Sequence, residues 1–161
     1  MVRITNKIYV GTLEDYENVR DDGDFFTVIA AKEPYHRQAL GYTGRSCGKE
    51  HPEYLYAERE NCLICNLVDA NSAEYISDTI ISKALKSIDN AVENGQRVLI
   101  CCNQGKSRSA GIGLLYLRHC GYFETEDFET AENFYRNYIY TAYEPANGIR
   151  SYVESHWDTT F

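Results

Sequence analysis

One short segment, residues 97–109, combines a thiol and a guanidinium at a spacing that suits phosphate chemistry. Cys102 is followed by five residues and then by Arg108. Arg97 to Cys102, which contains the apolar run Val98 to Ile100, predicts a buried strand, and Ala110 to His119 predicts a helix after the loop. A loop that enters a helix turns its backbone N–H groups and the positive end of the helix dipole toward an anion. We therefore predict a phosphate-binding loop composed of Asn103, Gln104, Gly105, Lys106, Ser107 and Arg108.

Each residue type in this loop has a distinct chemical use. The planar fork of Arg108 can bind two phosphate oxygens at once, which a lysine does less well. Gly105 lets the backbone approach a ligand closely, because it has no side chain. The field of the loop favours the thiolate of Cys102, and Ser109 can donate a hydrogen bond to it. Cys102 is therefore the predicted nucleophile.

A thiolate that attacks phosphorus also needs an acid to protonate the leaving oxygen. Asp69 is the predicted acid, because it follows a predicted strand over Cys62 to Val68. Parallel strands end at the same edge of a sheet, so Asp69 and Cys102 are expected to meet there. After the leaving group departs, the same carboxylate would deprotonate the water that hydrolyses the thiophosphate.

The elements around these residues alternate between strands and helices. Ile4 to Val10 and Phe25 to Ala31 predict strands, with a surface helix over Leu13 to Val19 between them. Residues 31–61 mix glycine, proline and charge, which predicts irregular structure with one short helix. Asn71 or Ser72 is the expected N-cap of a long helix that runs to Asn94.

That long helix is expected to present one apolar face, formed by Ile76, Ile80, Ile81, Leu85, Ile88 and Val92. Glu126 to Tyr140 and Asn147 to Trp157 predict two further helices. The pattern predicts an α/β fold with a mostly parallel central sheet flanked by helices and a helical C-terminal third. We expect a single catalytic domain over residues 1–161.

Composition excludes several classes of function. The net charge of −8 argues against binding to nucleic acid or to anionic membranes, both of which need basic surface. No run approaches the ~20 apolar residues of a membrane helix, and the first ten residues lack the pattern of a signal peptide. We expect a cytoplasmic protein with six reduced cysteines. The four histidines show no metal spacing and are expected at the surface or at helix ends.

The segment Cys102-Asn-Gln-Gly-Lys-Ser-Arg-Ser109 resembles the signature loop of the cysteine-dependent protein tyrosine phosphatases. It is most similar to the dual-specificity branch, in which Cys-x-x-Gly-x-Ser-Arg-Ser is usual. Ile8 to Asp15 also resembles the opening strand and helix of that branch, and the likeness is weakest over residues 32–61. The resemblance implies the tyrosine phosphatase-like fold and a reaction without cofactor or metal. It implies that the substrate is a phosphorylated protein or peptide, carrying phosphotyrosine and also phosphoserine or phosphothreonine.

The resemblance also implies roles for individual residues. Cys102 would be the nucleophile, Arg108 would bind phosphate or another oxyanion, and Asp69 would act first as acid and then as base. Ser109 would assist the departure of the thiolate. One position differs, because Cys101 stands where the family usually has a histidine that orders the loop and activates the thiol. Lys106 adds a cation that could favour highly charged substrates or simply face solvent.

The same residues are compatible with other functions to different degrees. Gly105 to Ser107 imitates the end of a nucleotide-binding loop, but the first glycine of that motif is replaced by Ile100. A zinc site is disfavoured, because Cys62, Cys65, Cys101 and Cys102 lie in apolar strand runs. A reversible disulfide between Cys102 and either Cys101 or Cys65 would protect the nucleophile from peroxide. Two other functions stay open: a phosphate-binding pseudophosphatase, and a sulfurtransferase or arsenate reductase.

Overall fold

The computed structural model describes residues 1–161 and contains one six-stranded sheet in the order β1-β2-β6-β3-β5-β4. The strands are β1 (Val2–Arg3), β2 (Ile8–Thr12), β3 (Phe25–Ile29), β4 (Tyr56–Arg59), β5 (Cys62–Cys65) and β6 (Arg97–Cys102). The four inner strands run parallel, and the two edge strands β1 and β4 are antiparallel to their neighbours. The predicted α/β fold with a mostly parallel sheet is confirmed.

Helices cover both faces of this sheet. They are α1 (Leu13–Val19), α2 (Tyr35–Leu40), α3 (Asp78–Glu93), α4 (Arg108–His119), α5 (Phe128–Phe134) and α6 (Asn147–Ser155). Gly113 of α4 lies against the side chain of Val10 in β2, and Val10 pairs with Ile100 in β6. Helix α4 therefore covers the face of the sheet that carries Val10 and Ile100. Side chains alternate along a strand, so Cys101 points to the opposite face of the sheet, where α1 packs against β6. The buried apolar side chains of both faces form one continuous core.

Helix α1 has the predicted bounds, because its N-terminus carries strong local signals. The Thr12 side chain accepts from the Asp15 N–H, and the Asp15 carboxylate accepts from the Thr12 N–H at 2.9 Å. This reciprocal capping box satisfies two N–H groups that the helix itself cannot. Tyr16 and Val19 are the buried residues of the helix.

The bounds of three predicted strands need correction. The first inner strand runs from Ile8 to Thr12 rather than from Ile4 to Val10. It begins late because the N–H groups of Ile4 and Thr5 both donate to the Ile8 carbonyl and form a tight turn. Phe25 to Ala31 ends as a strand at Ile29, and Cys62 to Val68 ends at Cys65. Regular strand geometry ends at these residues, although the Lys32 N–H still donates to the Leu67 carbonyl at 3.0 Å.

The long helix starts later than predicted. Asn71 and Ser72 do not cap it; residues Ala73–Tyr75 form a 3-10 turn that packs against α6, and Ser77 caps α3 by accepting from the Ile80 N–H. The apolar face is confirmed from Ile80 to Ile88, while Ile76 is buried ahead of the helix.

Residues 31–61 contain more regular structure than predicted. Besides the short helix α2, the segment holds the edge strand β4, which pairs with β5. His36 of α2 is fully buried, contrary to the expectation that the histidines lie at the surface or at helix ends. Its ring bonds the Tyr42 hydroxyl at 3.0 Å and the Glu53 carbonyl at 2.9 Å, and burial lowers its pKa. The neutral imidazole thus serves as a hydrogen-bonded core residue.

The C-terminal third is helical, as predicted, but Glu126 to Tyr140 is not one regular helix. It divides into α5 and a π-helical turn over Tyr135–Ile139. The predicted helix Asn147 to Trp157 ends at Ser155. No helix is long and apolar enough to span a bilayer.

Candidate active site

The predicted phosphate loop connects the central strand β6 to the N-terminus of α4. Strand β6 lies between β2 and β3 and ends at Cys102, as predicted. Helix α4 begins at Arg108, two residues before the predicted start at Ala110. The strand, loop and helix therefore occur in the order that anion binding requires.

Cys102 lies at the base of this loop with only 2% of its surface exposed. Its sulfur is 3.1 Å from the Ser109 hydroxyl oxygen, which also lies 3.3 Å from the Gly11 carbonyl oxygen. A hydroxyl has one proton to donate, so Ser109 can donate either to the carbonyl or to the sulfur. A thiolate is the stronger acceptor of the two, and Ser109 is placed to stabilise it.

Arg108 is held so that its buried Nε–H remains without a partner. Its Nη1 donates to the Leu67 carbonyl at 2.9 Å, and its Nη2 donates to the Asn103 side-chain oxygen at 2.7 Å. The buried Nε has no hydrogen-bond partner. Leaving a buried donor unpaired costs about 1–3 kcal/mol, so an acceptor belongs beside this guanidinium. An oxyanion in the loop would supply it.

Asp69 reaches the same loop from the segment after β5. Its Oδ1 accepts a hydrogen bond of 2.7 Å from the Ser107 hydroxyl. The same Ser107 oxygen accepts at 2.9 Å from the N–H of Ala146, which lies just before α6. Ser107 therefore joins three segments, and it fixes the position of the Asp69 carboxylate relative to the loop.

A second link holds the Asp69 segment from behind. The N–H of Gly148 in α6 donates to the Ala70 carbonyl at 3.0 Å. A side chain at Gly148 would collide with that carbonyl, so only glycine permits the approach. The exposed Asp69 side chain thus projects from a backbone that α6 anchors.

These residues enclose a cavity of ≈ 370 Å³ at the carboxyl edge of the sheet. Its lining consists of Asp69, Cys102, Asn103, Gln104, Lys106, Ser107, Arg108 and Glu144. The structure therefore brings together the predicted nucleophile, the predicted acid and most of the predicted loop. Two predicted residues do not line the cavity: Ser109 lies behind the Cys102 sulfur, and Gly105 contributes only its backbone to the loop.

Lys106 and Glu144 form the outer rim of the cavity. Their charged groups are 3.5 Å apart, and the Glu144 N–H donates to the Lys106 carbonyl at 2.8 Å. Both side chains are more than half exposed. Because Glu144 offsets the charge of Lys106, the geometry favours the reading in which Lys106 faces solvent over one in which it selects highly charged substrates.

Gly105 has two structural uses beyond the predicted one. Its φ of 71° lies in the left-handed region, which favours glycine. A Cβ at this position would meet the Gly11 carbonyl oxygen at 3.0 Å and the Tyr140 hydroxyl at 3.1 Å. The glycine thus serves the backbone turn and the packing behind the loop.

Sequence reasoning missed Tyr140, whose hydroxyl donates to the Gly105 carbonyl at 2.6 Å. It also missed Glu33, whose carbonyl accepts from the Asn103 side chain at 3.1 Å. Both residues are far from the loop in sequence, and no local pattern marks either one.

The neighbouring cysteines differ from Cys102 in their surroundings. Cys101 and Cys65 are fully buried, and burial raises the pKa of Cys65 to about 12 and that of Cys101 well above its ordinary value. Both are neutral thiols at physiological pH. No disulfide is formed by any of the six cysteines.

Solved phosphatase structures share this fold. Human DUSP28 matches with a TM-score of 0.65 and 18% identity, over 98% of this chain and 92% of that chain. A mouse putative dual specificity phosphatase complexed with zinc tungstate matches with a TM-score of 0.63 and 19% identity, over 98% and 86%. The human tyrosine phosphatase-like serine/threonine/tyrosine-interacting protein matches with a TM-score of 0.62 and 14% identity, over 97% and 94%.

Comparison at the level of sequence families is more specific. No curated protein sequence matches the chain. The family model Init_tRNA_PT, described as the Rit1 DUSP-like domain, matches residues 63–144, which is half of the chain. The matched region includes Asp69, the whole loop from Cys102 to Ser109, and Tyr140. The chain therefore belongs to the Rit1 DUSP-like domain family.

Proposed function

We propose that this chain is a cysteine-dependent phosphatase that hydrolyses phosphate monoesters through a phosphocysteine intermediate on Cys102. The observation that carries the proposal is a single cavity that holds the Cys102 sulfur, the Asp69 carboxylate and a guanidinium with an unpaired buried N–H. A nucleophile, an acid and a phosphate clamp are the groups that this reaction needs. Residues 1–161 would act as one catalytic domain.

In the first step, the Cys102 thiolate attacks phosphorus and the bond from phosphorus to the leaving oxygen breaks. Asp69 in its acid form gives its proton to that oxygen. Arg108 and the loop N–H groups hold the phosphoryl oxygens, on which negative charge is concentrated. The products of this step are the free alcohol, an Asp69 carboxylate and a thiophosphate ester.

In the second step, Asp69 takes a proton from a water molecule that attacks phosphorus, and the bond between sulfur and phosphorus breaks. The Ser109 hydroxyl donates to the sulfur as it leaves, a role that its distance of 3.1 Å allows. Inorganic phosphate is released and the acid form of Asp69 is restored. Protons and charge balance over the two steps.

The proposed substrates are phosphorylated proteins or peptides, with phosphotyrosine first and phosphoserine and phosphothreonine as alternatives. The loop is also proposed to bind free phosphate and other oxyanions; a tungstate complex is known for the mouse phosphatase of similar fold. Six unpaired cysteines suit a reducing compartment, so we propose a cytoplasmic location.

Two other functions stay as alternatives. A pseudophosphatase that only binds phosphate is favoured by one observation, the substitution of buried Cys101 for the histidine usual in the resembling family. A sulfurtransferase or arsenate reductase would use the same thiolate loop and would not need Asp69 as an acid.

Asp69→Asn tests the proposal against these alternatives. The variant keeps the size of the side chain but cannot donate the proton, so turnover of a phosphate ester should fall by about 10²- to 10⁴-fold. Asp21→Asn, an exposed residue outside the cavity, serves as the matched control and should keep full turnover. Undiminished turnover in Asp69→Asn would contradict the assigned acid and base, and unchanged sulfur transfer would favour the sulfurtransferase.

A further inference from the structure

Tyr140 is a buried residue that contacts the phosphate loop from behind. Only 4% of its surface is exposed, and its hydroxyl donates to the Gly105 carbonyl at 2.6 Å. That hydrogen bond is fully buried, so water does not replace it when it is lost. Tyr140 does not line the cavity and therefore does not contact a bound phosphate directly.

The Tyr140 ring is itself held in place. It stacks on Tyr135 with ring centroids 5.9 Å apart and an interplanar angle of 27°. The Tyr140 N–H donates to the Tyr135 carbonyl at 2.8 Å, which ends the π-helical turn. The hydroxyl therefore has a fixed position from which to bind the loop.

The consequence for the loop follows from peptide geometry. In a trans peptide, the carbonyl of one residue and the N–H of the next point in opposite directions. The bond between Gly105 and Lys106 is trans. When Tyr140 fixes the Gly105 carbonyl, it also turns the Lys106 N–H away from Tyr140. Peptides next to glycine rotate at low cost, so this one needs an outside partner.

The electrostatics of the site agree with a donor at this position. Burial and the negative charge at Cys102 raise the pKa of Tyr140 to about 12. The hydroxyl stays protonated at physiological pH and donates throughout. Cys101 is fully buried on the opposite face of the sheet from Cys102, so the residue before the nucleophile does not share this task.

We propose that Tyr140 is a positioning residue that holds the Gly105–Lys106 peptide in its anion-binding orientation through the Gly105 carbonyl. The inference rests on the proposed function, because it describes how the same loop is kept competent for phosphate. If Tyr140 has this role, removal of its hydroxyl alone will weaken the binding of an oxyanion to the loop.

Tyr140→Phe and Tyr135→Phe form a matched pair for the test. The Tyr135 hydroxyl is also buried and also donates to a carbonyl, that of Ala110 in α4, at 3.0 Å. Each variant removes one buried hydroxyl, so each should lower the melting temperature by a similar amount. Only Tyr140→Phe removes a hydrogen bond to the phosphate loop.

Tungstate binding to each purified variant is measured by calorimetry, beside turnover of an aryl phosphate. The affinity for tungstate should fall about tenfold in Tyr140→Phe, as expected for one lost buried hydrogen bond, and less than twofold in Tyr135→Phe. Equal affinities in the two variants would overturn the inference, even with turnover intact. Wild-type protein that binds tungstate but hydrolyses nothing would instead overturn the proposed phosphatase, and the affinity difference would still test Tyr140.

Discussion

Ser107→Ala removes the one side chain that joins the phosphate loop, the Asp69 segment and the residues before α6. The wild-type hydroxyl donates to Asp69 and accepts from the Ala146 N–H, and only 7% of the Ser107 surface is exposed. Alanine leaves the N–H without its acceptor and the carboxylate without its anchor. The perturbation is small in volume and acts on two hydrogen bonds.

The magnitude follows from the surroundings of the two bonds. Ala146 is half-buried and Asp69 is exposed, so water can replace part of what each loses. We expect a loss of about 1–2 kcal/mol in the free energy of unfolding. For a chain of this length, that lowers the melting temperature by roughly 2–8 °C.

The effect on catalysis should depend on the leaving group. A displaced acid transfers its proton poorly, so turnover of an aryl phosphate with a weakly acidic phenol should fall about 10- to 100-fold. An ester of a strongly acidic phenol needs little proton transfer, and its turnover should fall only about two- to threefold. The assay is the rate of release of each phenol at saturating substrate.

Ser77→Ala is the matched control for this variant. Ser77 caps α3 through the Ile80 N–H, so its loss should also cost about 1 kcal/mol, but it lies outside the cavity. The control should lose stability without any dependence on the leaving group. An equal fall for both esters in Ser107→Ala would refute the reasoning that Ser107 positions Asp69.

Three further predictions concern the clamp, the C-terminal helices and the buried thiols. Arg108→Lys should lower kcat/KM about 10²- to 10³-fold, because an ammonium group cannot bind two phosphate oxygens as the planar guanidinium does. An unchanged kcat/KM in steady-state kinetics would contradict this prediction. Glu132→Gln should lower the melting temperature by roughly 4–8 °C, because the buried Glu132 carboxylate accepts hydrogen bonds from Arg150 at 2.9 and 2.8 Å. The expected loss in the free energy of unfolding is about 2 kcal/mol, since Arg150 is partly exposed. An unchanged melting temperature would refute this prediction. Since burial raises the pKa of Cys65 from 9.0 to about 12, the unfolded chain loses that proton first above pH 9. Stability should therefore fall by about 1.4 kcal/mol per pH unit from this group, and urea unfolding that is flat between pH 8 and 11 would contradict it.

The parts of the fold that sequence predicted well are those with strong local signals. Strand β6 is a continuous apolar run, and α1 begins with a capping box, so both have the predicted bounds. The convergence of Asp69 and Cys102 followed from the rule that parallel strands end at one edge. The prediction did not include the hydroxyl of Ser107 that links the two.

The parts that sequence missed depend on contacts between distant segments. The edge strand β4 is stabilised by pairing with β5 rather than by an apolar pattern of its own. Helix α3 begins at Asp78 because the preceding turn packs against α6, although Asn71 and Ser72 have the chemistry of a cap. Tyr140 reaches the phosphate loop through a hydrogen bond between residues 35 positions apart, which no local pattern marks.

The most direct test of the account is hydrolysis of an aryl phosphate by wild-type protein, Cys102→Ser and Cys101→Ala in the presence of a reductant and a chelator. Cys101 is adjacent in sequence but fully buried on the other face of the sheet, so it is the matched control. We predict turnover by the wild type and by Cys101→Ala, and a loss of at least about 10³-fold in Cys102→Ser. Turnover that survives in Cys102→Ser, or that is lost equally in Cys101→Ala when that variant is folded, would contradict a phosphatase built on the Cys102 thiolate.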